Sequence, residues 1–200
     1  MVRLDIFKAV VKFSLLTEYS GLWGTAALEK DLDAEFGELR EPERIMSWEK
    51  ERSPNSLCTV DVGLLAALSS LRDCAQSPLL KSAAQTQNYL WVMDANGDIK
   101  IAVEEIAVLD GKPDIRGYPR RRGYKHPSED QKLGHPTLLD GGKARIAGEL
   151  ALDLHDDKLL WILNANSGRY CKQKPPSKSQ VDAAAYLIQG MGLDIEIDYL

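Results

Sequence analysis

The chain has 200 residues, 44% hydrophobic and 28% charged, with a net charge of −5. That length supports a substantial core without staples, and no apolar run reaches the ~18 residues a membrane-spanning helix needs. Cys58, Cys74 and Cys171 form no C-x-x-C pair and leave an odd count. They read as reduced core thiols of a protein that folds in a cytoplasm, and neither a zinc site nor a disulfide framework is expected. A nucleophilic Cys171, beside Lys172 and Arg169, is the alternative.

The first half reads as helical, over residues 1–88. Leu4, Phe7, Val10, Val11 and Leu15 fall at helical spacing before Gly21. Asp5, Lys8 and Lys12 interrupt that stretch and no small-residue cleavage site closes it, so it reads as a folded amphipathic helix rather than a signal peptide. A second helix is expected from Thr25 to about Leu39, on a stripe of Leu28, Leu32, Phe36 and Leu39, with Pro42 breaking it. A third should start near Thr59 or Asp61, either able to cap it, and bury Leu64, Leu65, Leu68 and Leu71. A short helix from Pro78 through Gln85 follows.

At Tyr89 the pattern turns extended. "YLWVMDANGDIKIAVEEIAVL" predicts a hairpin of two β-rich runs, the second reaching Leu109, closed by a type I′ turn at Asn96-Gly97. The stretch from Asp110 to about Pro136 has no periodicity and reads as a long loop, a length that in compact domains often serves function. After it, strands are expected near Ala144–Asp153 and Lys158–Asn164 around an Asp156-Asp157 turn. A helix over "SQVDAAAYLIQGMG", capped by Ser177 or Ser179, and a last strand in "LDIEIDY" complete the chain. The fold expected is a single α+β domain with the helical part packed on a mainly antiparallel sheet of about five strands.

Charge is unevenly spread. Nine acidic and four basic residues lie between Glu29 and Glu51, against eight basic and three acidic between Arg116 and Arg145. The basic segment "RGYPRRRGYKH", with Arg121 and Arg122 at its centre, is either a solvated loop or an anion-facing surface. Tyr118 and Tyr124 within it are able to stack on bases.

Several residues qualify for chemistry. His135, between Gly134 and Pro136-Thr137, is expected at the start of a strand, where its imidazole either organises a loop or serves as an acid or base. Alternation along the next strand puts Arg145, Ala147 and Glu149 on one face, as a salt-bridged row or as a ligand-facing set. The run Asn164, Asn166, Ser167, Gly168, Arg169 and Tyr170 holds more hydrogen-bonding side chains than a turn requires. Arg169, with Lys172 nearby, has the donors to grip a phosphate or carboxylate. No P-loop, EF-hand, H-E-x-x-H or G-x-G-x-x-G pattern is present, so metal-free chemistry without a cofactor is the expectation.

"GHPTL", "ARIAGEL" and "LLWILNANSGRY" together resemble a pattern in C-terminal modules of bacterial polymorphic toxins and secreted effectors: Gly-His before Ser or Thr, a strand with Ala-Gly-Glu, then Asn-x-Ser-Gly-His-Tyr and a helix. The resemblance spans residues 134–192, under a third of the chain. Pro136 intervenes between His135 and Thr137, and Arg169 stands at the second histidine, where a guanidinium holds an anion but does not exchange protons.

The resemblance implies a ligand-binding site built from His135, Glu149, Ser167, Arg169 and Tyr170, and the leading expectation is a toxin-type enzyme acting on RNA or on a nucleotide such as NAD, made in the cytoplasm and delivered without a cleaved signal peptide, with an immunity protein or secretion apparatus as partner. In a ribonuclease, Glu149 and His135 would exchange protons while Arg169 and Lys172 stabilise the phosphate. In an ADP-ribosyltransferase, Arg145 or Arg169 would clamp the pyrophosphate, Ser167 and Tyr170 would hold the ribose, and Glu149 or Glu196 would orient the leaving bond. Asn166, Arg121 and Arg122 complete the substrate-binding set. The rival expectation is a non-catalytic immunity or adaptor protein that binds a basic partner through its acidic helices.

Overall fold

The computed structural model describes residues 25–50, 52–107, 117–120, 122 and 131–199. The expected first helix, and Arg116, Arg121, Tyr124 and His126 of the basic segment, lie outside the described residues, as does the side chain of Tyr118.

The fold is α+β. Four α-helices are described: α1 (Thr25–Phe36), α2 (Val62–Cys74), α3 (Pro78–Ala84) and α4 (Lys178–Gly190). The strands are β1 (Cys58–Thr59), β2 (Tyr89–Met93), β3 (Ile99–Val103), β4 (Glu105–Ala107), β5 (Gly117–Pro119), β6 (Lys132–Leu133), β7 (Ala147–His155), β8 (Lys158–Leu163) and β9 (Ile195–Ile197). Six form one sheet in the order β1-β3-β2-β7-β8-β9, antiparallel except for the parallel β8–β9 pair, which is joined through α4. The sheet thus has one strand more than the expected five. The added one, β1, lies in the first half, where residues 37–61 hold no α-helix.

A separate three-stranded sheet, β5-β4-β6, corrects the reading of a long structureless loop. Two of its strands, Gly117–Pro119 and Lys132–Leu133, come from within that stretch. Strands of two or three residues are too short to show alternation, and β4 alone holds them in register.

Local chemistry explains the helix ends. Asp61 caps α2, its carboxylate accepting from the Leu64 amide at 2.7 Å. Ser177 and Gln180 form a reciprocal capping box at the start of α4, which satisfies two otherwise orphaned amides. The turns differ from expectation. In the β2–β3 connection only Gly97 has positive φ, and Asp94 closes the loop by accepting from the amides of Asn96 and Asp98, so the turn is not type I′. Positive φ at two successive residues occurs instead at Asp156 and Asp157, between β7 and β8.

The two faces of the large sheet differ. On one, Trp91, Met93, Ile101, Leu150, Leu152 and Trp161 pack against Leu32 and Phe36 of α1, Leu65 and Leu68 of α2, and Val181, Ala184 and Ile188 of α4. Both tryptophans are fully buried and donate their indole N–H, to the carbonyls of Asn164 and Leu68 respectively. On the other face, Leu90, Val92, Ala102 and Ala147 form a smaller cluster with Leu138, Ala144, Tyr170 and Cys171. That cover stops short of Glu149, Ala151, Asp153 and Ile162, which floor a cleft.

Candidate functional site

His135 starts a 3-10 helix, His135–Leu139, rather than a strand. Pro136 fits this start because its missing N–H falls where a helix has no acceptor. The imidazole is turned inward and buried, its Nε2–H donating to the Gly148 carbonyl at 2.8 Å. Burial lowers its pKa to about 4, helped by the Arg169 guanidinium and opposed by the Gly148 hydrogen bond. His135 is thus neutral at physiological pH and holds β7 in place.

Gly148 itself is dictated by sterics. A Cβ there would stand 1.9 Å from the Asn164 carbonyl oxygen, so only glycine lets the chain after β8 cross this point. Asn164 completes the lock: its side-chain oxygen accepts from the amides of Glu149 and Asn166. Ser167 is buried and accepts from the amides of Arg169 and Tyr170. The polar excess after β8 therefore closes backbone.

The structure does not gather the remaining sequence candidates into one place. Arg169 donates to the carbonyl of Arg44 and to the carboxylate of Glu49 at 2.9 Å. Glu49 is fully buried and also accepts from the amides of Met46 and Gly134. Tyr170 is buried with its hydroxyl donating to the Gly142 carbonyl at 2.6 Å; burial, and then Glu41 and Glu49, push its pKa up. Arg145 does not share a face with Glu149. It is buried against the end of α1, donating to Asp33 and to the carbonyls of Gly37 and Ala95.

Cys171 is buried with its thiol on the Ala147 carbonyl, and burial raises its pKa, opposite to the shift a nucleophile needs. Cys58 and Cys74 are exposed rather than in the core. Asn166, Ser167 and Lys172 line a second groove of about 640 Å³ with Pro175, Lys178 and Tyr199. Glu196 lies on β9 and is exposed.

Asn166, Ser167 and Lys172 thus share one groove, and three further candidates, Glu149, Asn164 and Arg122, meet in another. Glu149 and Arg122 line the cleft of about 430 Å³ between the open face of the large sheet and the small sheet. Alternation along β7 turns Glu149, Ala151 and Asp153 into it, while Gly148, Leu150 and Leu152 face the main core. Asn164 and Ile162 of the neighbouring strand continue the floor. Asn88, Glu104, Arg120, Arg122 and Lys132 make the far wall, with Asp198 at the rim.

Hydrogen bonds fix that wall. The Glu104 amide donates to the Asn88 carbonyl, Arg120 to that of Glu104, and Arg122 to that of Thr86. The Glu104 carboxylate pairs with Arg120 at 2.9 Å and with Lys132 at 4.0 Å. Arg122 pairs with Asp153 at 3.1 Å.

The carboxyls differ in setting. Burial pushes Asp153 up, but bonds from the Leu154 amide, Gln85 and Arg122 outweigh it and hold it below the usual range. Glu149 is raised: burial disfavours its charge and Glu104 adds repulsion, against the Asn88 hydrogen bond and the attraction of Arg122 and Arg120. A carboxyl of raised pKa in a cleft with cations is a group suited to proton transfer.

Asn88, Glu104, Lys132 and Asp153 line the cleft without standing among the sequence candidates. Asp153 alone had a readable signal, since Glu149, Ala151 and Asp153 form a polar row opposite Leu150 and Leu152.

The class defined by fold and site is an α+β protein with a charged cleft on the open face of its sheet. The chain matches no known protein family, no curated protein and no solved structure. Among the described residues no helix is long and apolar enough to cross a membrane.

Proposed function

We propose that this protein is a toxin- or effector-type enzyme that takes a phosphate-containing substrate, RNA or a nucleotide, into the Glu149 cleft and acts on it by acid–base chemistry. The supporting observation is Glu149 itself, a half-buried carboxyl of raised pKa facing a wall that carries Arg120 and Arg122. Glu149 moves the proton. The guanidiniums offer forked donors to phosphate oxygens, exchanging Glu104 and Asp153 for substrate. His135 and Gly148 position the strand from which Glu149 projects. The likeness of residues 134–192 to toxin modules supplies the setting: synthesis in a cytoplasm, delivery to another cell and an immunity protein as partner.

The test is inducible expression in a bacterial cytoplasm, with Glu149→Gln and Arg122→Ala compared at matched soluble levels. The reading expects growth arrest by the parent chain and relief in both variants. Arrest that persists undiminished in both would remove the cleft from the account.

A second reading, a non-catalytic immunity or adaptor protein, is favoured by one observation: Arg120 and Lys132 are matched to Glu104, and Arg122 to Asp153. It would dock a basic partner on the exposed acids of α1, Glu29, Asp31 and Glu35. Charge reversal at Asp31 and Glu35 would then abolish partner capture while Glu149→Gln leaves it intact.

A further inference from the structure

We propose that the bond broken in the cleft is the N-glycosidic bond of a nucleotide, with Glu149 as the acid for the departing base and Glu104 as the carboxylate facing the sugar's anomeric carbon. This rests on reading the cleft as a nucleotide site and narrows it to one bond.

The sign of charge in the cleft separates the possibilities. Attack at phosphorus places negative charge on the reacting oxygens and calls for surplus cations. Cleavage at an anomeric carbon passes through an oxocarbenium-like state of positive charge and calls for carboxylates. The described lining holds four carboxyl groups, Glu104, Glu149, Asp153 and Asp198, against three cations, Arg120, Arg122 and Lys132. Each of those cations already faces a carboxylate. With Glu149 protonated as the acid, the described lining balances at three carboxylates to three cations and lacks the surplus of cations that attack at phosphorus calls for.

The proton donor points the same way. Ribonuclease chemistry of the kind considered above would use His135 as partner to Glu149, but that ring is buried on the Gly148 carbonyl and does not line the cleft. His155 is exposed at the β7–β8 turn. The described lining includes two carboxyls in unlike settings, the arrangement of acid and stabiliser in glycoside cleavage. Glu104 is ion-paired to Arg120 and Lys132, whereas Glu149 hydrogen-bonds Asn88. Asn88 ties the two together, its backbone carbonyl accepting from Glu104. Ala151 and Ile162 supply a small apolar floor for a sugar or base face.

The step balances with water as its one co-reactant. The C1′–N bond breaks with its electron pair leaving on the base nitrogen, which takes the Glu149 proton. Water adds its oxygen to C1′ and gives its proton back to the Glu149 carboxylate. The products are the free base and the sugar phosphate with a hydroxyl at C1′. NAD falls outside this class, because nicotinamide departs neutral without needing a proton.

The experiment incubates the full chain with adenosine monophosphate, with an RNA oligonucleotide and with NAD. Free base is followed by chromatography and strand length by electrophoresis. The expected result is adenine release with the RNA strand uncut, a rate that falls as pH rises through the Glu149 titration, and a loss of at least about 100-fold in the isosteric Glu149→Gln variant, its fold verified by circular dichroism. Strand cleavage without base release would overturn the glycosidic assignment and leave the cleft as a nucleotide site. Adenine release unaffected by Glu149→Gln would overturn the role of Glu149 as acid. Absence of both turnover and calorimetric binding for all three probes would overturn the nucleotide reading and this inference with it.

Discussion

The imidazole of His135 and the carbonyl of Gly148 are joined by a 2.8 Å hydrogen bond in the interior, one residue before the glutamate that projects into the cleft. This contact ties the 3-10 helix to β7, and the burial that comes with it makes stability depend on pH. In the unfolded chain His135 has an ordinary pKa near 6.5, whereas burial lowers it to about 4 in the fold. Between those values the unfolded state binds more protons, so the contribution is fully present above about pH 6.5 and is lost as pH falls toward 4. The full loss is about 3 kcal/mol on the usual conversion of pKa shift to free energy. Urea unfolding at pH 7 and pH 4.5 should show the decline, and His135→Asn, which keeps a donor but does not titrate, should flatten that part of the profile.

Gly148→Ala should be among the most damaging small substitutions in the chain. The new methyl would meet the backbone of Asn164 and Ala165, which has no side chain to swing aside. A loss of about 3 kcal/mol or more is expected, read as a drop in urea midpoint or as insoluble expression. Gly168→Ala, where a Cβ meets nothing within 4 Å, is the control and should be near neutral.

Arg145→Ala should cost about 3–5 kcal/mol, because it removes a fully buried cation and strands its Asp33 partner and the carbonyls of Gly37 and Ala95. Thermal unfolding measures this. Arg122→Ala, at an exposed pair, should change stability by less than about 1 kcal/mol.

Thiol labelling of the folded protein should modify two cysteines quickly and one slowly. Cys58 and Cys74 are exposed, while Cys171 is buried with a raised pKa. Denaturant should bring the third to the same rate.

Legibility from sequence followed the range of the interactions. Helix α4 was readable because Ser177, Gln180 and the Val181, Ala184, Ala185, Ile188 stripe all act within one turn or on one face. The β7–β8 hairpin was readable from its alternation and its paired aspartates. Strands β5 and β6 were not, since their short runs are strands only by virtue of β4, distant in sequence. For the site, Glu149 and Arg122 were legible as charged residues in revealing positions. His135, Arg145, Arg169 and Tyr170 carry the same chemistry in sequence, yet three-dimensional packing commits them to holding segments together. Sequence does not separate a side chain that closes backbone from one that meets a ligand, because the donors and acceptors are identical.

The most direct measurement of the central claim is an NMR titration of the Glu149 side-chain carboxyl, with and without adenosine monophosphate. The midpoint should lie above the ordinary glutamate value, as burial and Glu104 require, and should move when the nucleotide is added. A midpoint at the ordinary value, unmoved by nucleotide, would contradict the assignment of this cleft as the working site.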